Sequence, residues 1–290
     1  MRYRENVTRS NRKTASPKLR LAFIGYGEVG KLFARRFREK CGAEIAAYDI
    51  LFDDASRIAE ARQAHVRVGA DAADATRGAD VIFSAVTADR AEVVARDAQN
   101  YLKGGQFFVD LNSAAPETKR RAAAHVMASG AHYIEAAVMA PVALKDIATP
   151  ILAGGPQAAR ASALLNPLGM DISPVAEEYG RASATKLARS IMIKGMEALI
   201  LDSARAARAW GVADDVFASL SRSFPGTDFA ALADSMAERV HKHGLRRAAE
   251  MREAADMLDD LGLASALARA VADAQERGAK ERGAKEHGPR

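Results

Sequence analysis

Three glycines near the start of the chain have the spacing of a dinucleotide-binding turn. Gly25, Gly27 and Gly30 form the pattern Gly-x-Gly-x-x-Gly directly after the short, mostly apolar run 19–24. The first glycine permits a tight turn, the second lets the backbone approach a pyrophosphate, and the third lets the following helix pack closely. The phosphates then lie on the helix N-terminus, where free N–H groups favour anions. The predicted cofactor-binding residues of this turn are Gly25, Tyr26, Gly27, Glu28, Val29 and Gly30.

An acidic residue, Asp49, ends the next apolar run, residues 43–49. A carboxylate at this position accepts hydrogen bonds from the ribose 2′-hydroxyl and repels a 2′-phosphate. The nearest downstream cation, Arg57, belongs to the next predicted helix. NAD is therefore the predicted cofactor, and NADP is less favoured. Val86 and Thr87 follow a later strand and are predicted to line the cofactor ribose, since ligands bind beyond the carboxyl ends of parallel strands.

Lys186 is the candidate group for proton transfer. Oxidation of an alcohol by hydride transfer needs a group that removes the hydroxyl proton, and the reverse reaction needs the same group to return it. A lysine can serve when burial and a positive nicotinamide ring lower its pKa toward neutrality. Lys186 lies near the N-terminus of a predicted helix, whose dipole also disfavours an ammonium. The alternative is an ordinary surface lysine.

Two polar residues, Asn112 and Ser113, come directly after the predicted strand 106–111. The carboxyl end of a parallel strand is where such sheets present ligand contacts, so both are predicted to bind substrate. The alternative is that one of them caps the helix that Pro116 opens.

These residues must be positioned by strands and helices that alternate along the first 176 residues. Strands are predicted over residues 19–25, 43–49, 64–68, 79–86, 106–111, 132–137 and 149–153, and helices over 29–40, 54–63, 89–102 and 116–129. This pattern is typical of an α/β fold with a mostly parallel sheet covered by helices on both faces. We therefore predict a Rossmann dinucleotide-binding domain over residues 19–176.

The pattern becomes all-helical from residue 177 to residue 274. Helices are predicted over residues 182–210, 213–223, 228–241 and 245–260. The first is a long central helix with apolar residues on more than one face, which suggests burial between helices or against a second subunit. We predict a substrate and dimerisation domain here. The basic leader, residues 1–18, and the charged tail, residues 275–290, are predicted to be disordered.

The composition is that of a soluble globular protein. Of the 290 residues, 49% are hydrophobic and 27% are charged, and the net charge of +5 comes largely from the leader. The single cysteine, Cys41, excludes an internal disulfide and fits a reducing cytoplasm. The sequence has no run of about 20 apolar residues and no metal-ligand spacing. We therefore predict a cytoplasmic protein that binds no metal, membrane or nucleic acid.

Four segments in this order resemble the β-hydroxyacid dehydrogenase superfamily, which includes 3-hydroxyisobutyrate dehydrogenase and, more distantly, 6-phosphogluconate dehydrogenase. They are the glycine turn and residues 110–116, 136–142 and 180–186, and the likeness covers residues 19–272. The resemblance implies that Lys186 is the catalytic lysine. It also implies substrate contacts in the segments that contain Asn112, Ser113 and Met139.

Two departures from the family pattern bear on the substrate. Four residues after its lysine the family usually has an asparagine that binds substrate, and here Ser190 stands there. Residues 139–141, Met-Ala-Pro, replace a Ser-Gly-Gly that holds the substrate carboxylate. A bulkier or more hydrophobic substrate is the resulting hypothesis.

Further substrate contacts are predicted from basic residues. Lys194 lies two turns beyond Lys186 on the same helix. His243 and Arg246 belong to a polar, basic run at a predicted helix start, and relatives place a basic residue from this region near the substrate. The alternative is a solvated charged face.

The predicted function is that of an NAD(P)-dependent dehydrogenase that transfers a hydride between the nicotinamide and the hydroxyl carbon of a β-hydroxy acid or related alcohol. Lys186 would act as general acid and base. The alternatives are an imine reductase and a non-catalytic cofactor-binding interaction protein, which both tend to lack the lysine. The resemblance further implies a homodimer through the helical domain.

Overall fold

An eight-stranded sheet forms the N-terminal half of the protein. The computed structural model describes residues 19–285, so the predicted basic leader and the last five residues lie outside it. The strands are β1 (Arg20–Ile24), β2 (Glu44–Tyr48), β3 (Arg67–Val68), β4 (Val81–Ser84), β5 (Phe107–Asp110), β6 (His132–Val138), β7 (Pro150–Gly154) and β8 (Asp171–Ala176). Their order is β3-β2-β1-β4-β5-β6-β7-β8, and only the β6–β7 pair is antiparallel. The predicted mostly parallel α/β fold is confirmed.

Helices cover both faces of this sheet. They are α1 (Glu28–Cys41), α2 (Ala55–Gln63), α3 (Ala72–Thr76), α4 (Ala91–Ala98), α5 (Pro116–Ala128), α6 (Val142–Lys145) and α7 (Ala158–Leu165). Successive residues of β1 point to opposite faces: Leu21 and Phe23 pack into the core beneath α1, and Ala22 and Ile24 into the core beneath α4 and α5. Both faces of the central strands are therefore buried, which explains why these strands are mostly apolar.

The order of the strands creates a crevice. After β1 the chain builds β2 and β3 on one side and then returns to place β4 on the other side of β1. The connections therefore diverge between the carboxyl ends of β1 and β4, which is the position where open α/β sheets bind ligands.

The C-terminal half consists of four helices among the described residues: α8 (Arg181–Trp210), α9 (Ala213–Ser223), α10 (Phe229–Asp260) and α11 (Ala266–Lys285). Helices α8, α10 and α11 pack together around small apolar side chains, including Ala248, Ala254 and Ala272. No helix in the described part of the chain has the length and apolar character needed to cross a bilayer.

The prediction of two helices over residues 228–260 was wrong, because α10 runs through them without a break. Gly244, which lies between the two predicted helices, is a packing position within α10. A Cβ atom at Gly244 would lie 2.3 Å from the carbonyl oxygen of Gln275 on α11. The missing side chain lets the two helices approach, and this offsets the helix-weakening effect of glycine.

The prediction of a disordered tail from residue 275 was also wrong as far as residue 285, because these residues belong to α11. Gln275 is buried, and its amide donates to the buried carboxylate of Glu197 on α8 at 3.2 Å. Arg239 and Arg247 of α10 donate to the same carboxylate. A single buried charge thus joins three helices, with its acceptor oxygens satisfied.

Candidate active site

The three glycines of the turn have different physical roles. Gly25 has φ +91°, and a Cβ there would lie 2.3 Å from the carbonyl oxygen of Ala85. A Cβ at Gly30 would lie 2.4 Å from the carbonyl oxygen of Gly25. A Cβ at Gly27, by contrast, would meet nothing within 4 Å among the described residues. Gly25 and Gly30 are therefore required by the fold, and Gly27 keeps open the space in front of α1.

The N-terminus of α1 opens toward this space. Gly27 is the N-cap, and no side chain in the described structure caps the helix. The first backbone N–H groups of a helix have no intrahelical partner and carry the positive end of its dipole. The turn therefore fits a pyrophosphate. The ring of Tyr26 is buried against Phe52, so this residue offers its backbone to the turn.

The carboxylate of Asp49 is fixed beside the turn by two backbone donors. Its Oδ2 accepts from the N–H of Tyr26 at 2.6 Å, and its Oδ1 accepts from the N–H of Leu51 at 2.9 Å. Each carboxylate oxygen can accept a second hydrogen bond, and Asp49 is half-buried. The group can therefore accept from ribose hydroxyls. Arg57, the nearest downstream cation, pairs with Asp54: its Nε lies 3.7 Å from Asp54 Oδ2.

Asn112 connects the carboxyl ends of β4 and β5. Its Oδ1 accepts from the N–H of Val86 at 2.7 Å, and its Nδ2 donates to the hydroxyl of Ser84 at 3.0 Å. Asn112 is buried, and both ends of its amide are engaged within the protein. This differs from the predicted direct substrate contact, because the amide here positions Val86. Thr87, the next residue, is exposed at the mouth of the crevice.

In contrast to Asn112, Ser113 has a buried hydroxyl that has no hydrogen-bond partner among the described residues. Such groups are rare because an unsatisfied buried hydroxyl costs about 1–3 kcal/mol. The capping alternative is not realised, since Ala115 is the N-cap of α5 and no side chain bonds there. The hydroxyl is therefore a candidate ligand contact.

A buried charge network that the sequence analysis missed holds the end of β5. Lys119 of α5 donates to Asp110 Oδ1 at 2.9 Å, and the hydroxyl of Tyr133 donates to Asp110 Oδ2 at 2.6 Å. All three side chains are buried. Burial, with the neighbouring charge of Asp110, raises the pKa of Tyr133 well above its usual value. The network fixes the strand end from which Asn112 and Ser113 extend.

Glu135, also missed, holds the start of α8. It is buried on β6, and its carboxylate accepts from the N–H groups of Gly180 and Ser183, both at 2.6 Å, and from the hydroxyl of Ser183 at 2.5 Å. A carboxylate at a helix N-terminus satisfies free N–H groups and interacts favourably with the helix dipole. A Cβ at Gly154 would lie 2.6 Å from Glu135 Oε2, so a glycine makes room for the carboxylate.

Lys186 lies one turn beyond this anchored start. Its amine is partly buried and forms no hydrogen bond or ion pair with any described residue. Burial and, less strongly, the charges of Lys119, Lys194 and Arg246 lower the pKa of Lys186, whereas Glu250 raises it, and the net pKa is about 8. Lys186 is therefore an unpaired amine that exchanges its proton close to neutral pH.

Ser190 and Lys194 both face a residue that the sequence analysis did not single out, Glu250 of α10. The hydroxyl of Ser190 donates to Glu250 Oε1 at 2.5 Å, and Lys194 Nζ lies 3.0 Å from the same oxygen. Burial raises the pKa of Glu250, but the charges of Lys186 and Lys194 and the bond from Ser190 bring it down to about 2. The two predicted substrate contacts are thus engaged with a carboxylate.

His243 and Arg246 lie on α10, in mid-helix and not at a helix start as predicted. Burial and the charges of Arg246 and Lys242 lower the pKa of His243, whereas Glu28 at the start of α1 opposes this shift. Arg246 is exposed and forms no ion pair with a described residue. Because its charge acts on Lys186, α10 places a free cation close to the lysine.

Helix α10 also contacts the loop that carries Ser113. Glu253 Oε2 accepts from the N–H of Ala115 at 2.7 Å. Met139 lies at the end of β6, half-buried, and its N–H donates to the carbonyl oxygen of Pro150 at 2.9 Å. Helix α10 thus contacts both the loop that carries Ser113 and the part of α8 that follows Lys186.

Known proteins share this fold over most of the chain. A conserved hypothetical protein from Sinorhizobium meliloti 1021 is 35% identical over 95% of this chain and 92% of its own, with a TM-score of 0.77. The conserved protein MTH1747, described as structurally similar to 3-hydroxyacid dehydrogenases, is 32% identical over 90% of this chain and 98% of its own, with a TM-score of 0.71.

The family models divide the chain near the end of the sheet. Residues 20–175 match the NAD binding domain of 6-phosphogluconate dehydrogenase, and residues 207–278 match a domain of unknown function, DUF1932. Mycobacterium tuberculosis 3-hydroxyisobutyrate dehydrogenase shares the fold, with a TM-score of 0.71 at 18% identity over 90% of this chain and 93% of its own. The protein therefore belongs to the β-hydroxyacid dehydrogenase superfamily, as the four segments of its sequence predicted.

Proposed function

We propose that the protein is an NAD-dependent oxidoreductase that transfers a hydride between the nicotinamide and the hydroxyl carbon of a β-hydroxy acid or related alcohol. The observation that carries the proposal is the state of Lys186. It is partly buried, unpaired among the described residues, and has a pKa of about 8. A general acid or base works best when its pKa lies near the operating pH.

The residues of the crevice fit a dinucleotide. The open space at Gly27, the free end of α1 and the fixed carboxylate of Asp49 would hold the pyrophosphate and the ribose. When bound, the nicotinamide supplies or accepts the hydride. We propose NAD over NADP, because Asp49 repels a 2′-phosphate and Arg57 lies near Asp54.

Lys186 performs the proton transfer in both directions. In oxidation, its neutral amine accepts the proton from the substrate hydroxyl oxygen while the hydride leaves the carbon that bears this hydroxyl. In reduction, its ammonium donates that proton to the forming hydroxyl. Glu135 binds the N–H groups of Gly180 and Ser183, and this fixes the first turn of α8, which precedes Lys186, against β6.

The charge of the region supports an anionic substrate. Arg246 provides a cation without a partner in the described structure, and Ser113 provides a buried hydroxyl without one. Together they suit a carboxylate, which accepts hydrogen bonds from both kinds of donor. Met139, Ala140 and Pro141 favour a bulkier substrate than a site with a Ser-Gly-Gly segment takes.

We further propose a homodimer through the helical domain. Met192, Met196 and Leu199 lie on one side of α8 and are 65%, 40% and 70% exposed. Exposed apolar residues at this spacing form a stripe that a second helix can cover. Size-exclusion chromatography with light scattering measures the mass directly, and a monomer at micromolar concentration refutes this part of the proposal.

The test of the proposed reaction is an activity screen with the purified protein. NAD and NADP are each offered with short hydroxy acids and with alkyl- or aryl-substituted ones, and nicotinamide reduction is followed at 340 nm. We expect turnover with NAD and the substituted hydroxy acids. Turnover confined to the small acids contradicts the substrate hypothesis. Reduction of imines without oxidation of any alcohol contradicts the reaction itself.

A further inference from the structure

Glu250 occupies a position that the proposed reaction does not yet use. It reaches from α10 to α8, where it binds the hydroxyl of Ser190 at 2.5 Å and the ammonium of Lys194 at 3.0 Å. Lys186, Ser190 and Lys194 are spaced four residues apart, so they lie along one stripe of α8. The carboxylate therefore lies on the same side of α8 as the unpaired amine.

The two groups that hold Glu250 leave it little freedom. Both groups bind Oε1, and Ser190 and Lys194 are themselves buried, each with an exposure of 5%. A fixed carboxylate that is partly shielded from solvent interacts with a neighbouring charge more strongly than a mobile carboxylate in water. The Ser190 hydroxyl is also committed, so it donates to Glu250 and not to a substrate.

We propose that Glu250 is a positioning residue for Lys186: its fixed negative charge, held by Ser190 and Lys194, stabilises the protonated amine between proton transfers. The proposal rests on the proposed role of Lys186 as acid and base. The charges of Lys119 of α5, Lys194 of α8 and Arg246 of α10 all disfavour the protonated amine, although Asp110 pairs with Lys119. Glu250 is the anion that opposes them.

The pKa values are consistent with this geometry. Burial and the three cations lower the pKa of Lys186, and Glu250 is the group that raises it most strongly, which leaves the pKa at about 8. Without the carboxylate, the neutral form of the amine would be favoured more strongly. It could then accept a proton in oxidation but would seldom carry one to donate in reduction.

The test measures the protonation of Lys186 without substrate or cofactor. The full-length protein is acetylated with trace acetic anhydride between pH 6 and pH 11, and the peptide that contains Lys186 is quantified by mass spectrometry. Only the neutral amine reacts, so the rate reports its titration. Wild-type protein is compared with Glu250→Gln, Lys194→Met and the double variant. Glu253→Gln, which removes another carboxylate of α10, is the matched control.

The expected result is a lower midpoint whenever Glu250 loses its charge. In the Lys194→Met background, Glu250→Gln should lower the midpoint of Lys186 by about one unit or more, the size expected for loss of a neighbouring opposite charge. The effect should be smaller in the wild-type background, where an unpaired Lys194 loses its own proton. Glu250→Asp, which keeps the charge, should stay within about half a unit of wild type.

Loosening of the fold would act in the opposite direction, because a more exposed Lys186 titrates closer to 10.5. The proposal is therefore overturned if the midpoint of Lys186 in the double variant is equal to or higher than its midpoint in Lys194→Met. The double variant contains no unpaired buried charge from this pair, so it remains informative if Glu250→Gln alone does not fold. The titration stands whether or not a substrate is found, and the two proposals can therefore fail separately.

Discussion

Replacing Glu135 by glutamine should lower the free energy of unfolding by about 3 kcal/mol, through the loss of one charge. In the native protein Oε2 accepts from Gly180, and Oε1 accepts from the N–H and hydroxyl of Ser183. A glutamine oxygen can keep the Ser183 bonds, but its NH₂ group then faces the N–H of Gly180. Two donors that face each other cannot form a hydrogen bond.

The magnitude follows from the burial of the site. A hydrogen bond to a charged group contributes about 1.5–3 kcal/mol, and a buried donor left without a partner costs about 1–3 kcal/mol. Glu135 is 0% exposed, so water cannot replace the lost acceptor without opening the sheet. The loss of one charged bond with partial relaxation around two orphaned donors gives about 3 kcal/mol.

The assay is urea denaturation followed by circular dichroism, with Glu117→Gln as the control. The side chain of Glu117 is 43% exposed and pairs with the 57% exposed side chain of Arg120, so its loss should change the free energy of unfolding by about 0.5 kcal/mol or less. If Glu135→Gln changes the free energy of unfolding no more than this control, the carboxylate does not anchor α8 and the reasoning fails.

Three further predictions concern the cofactor and the lysine. Asp49→Ala should raise the ratio of NADP to NAD turnover, because it removes the carboxylate that repels a 2′-phosphate; steady-state rates with both cofactors measure this. Gly27→Ala should fold normally but bind NAD at least about tenfold more weakly by calorimetry, whereas Gly25→Ala should be destabilised by overlap with Ala85 and by strain at φ +91°. The rate of oxidation should rise with pH through about 8 as Lys186 becomes neutral, and the rate of reduction should fall over the same range.

Each of these predictions has a clear contrary result. An unchanged cofactor ratio in Asp49→Ala removes the argument for NAD. Equal stability of the two glycine variants contradicts the distinct roles assigned to Gly25 and Gly27. Rates of oxidation and reduction that change in the same direction between pH 7 and pH 9 contradict proton transfer by Lys186.

Local patterns in the sequence were sufficient to predict seven of the eight strands and the glycine turn. The strands are apolar because both faces are buried, and the glycine spacing reflects contacts within a few residues and across to Ala85. The helix α7 and the strand β8 were not predicted. Strand β8 lies at the edge of the sheet, and Ile172 is its one buried residue. Its sequence therefore shows little apolar periodicity.

The groups that support the site depend on contacts between distant residues. Glu135 and Ser183 are 48 residues apart, and Ser190 and Glu250 are 60 residues apart, so no local pattern joins them. One signal was present for Glu135: an acidic residue in the apolar run 132–138 indicates a buried carboxylate with partners. No comparable signal marked Glu250, which stands among other charged residues of α10.

Two glycines lie where the predictions for the helical half were wrong. Gly244 lies between the two predicted helices and Gly278 lies in the predicted tail, and both are at the contact of α10 and α11. A Cβ at Gly278 would lie 2.7 Å from a side-chain carbon of Val240. A glycine that permits close helix packing cannot be distinguished from one that ends a helix until the partner helix is known.

The central claim is that Lys186 transfers the proton while NAD binds independently of it, and Lys186→Met tests this most directly. The measurement is kcat/KM for NAD-linked alcohol oxidation, together with the Kd for NAD by calorimetry. General acid–base catalysis contributes about 10²–10⁴-fold, so kcat/KM should fall by at least about 100-fold while the Kd stays within about twofold. A variant that retains kcat/KM within about threefold of wild type contradicts the claim.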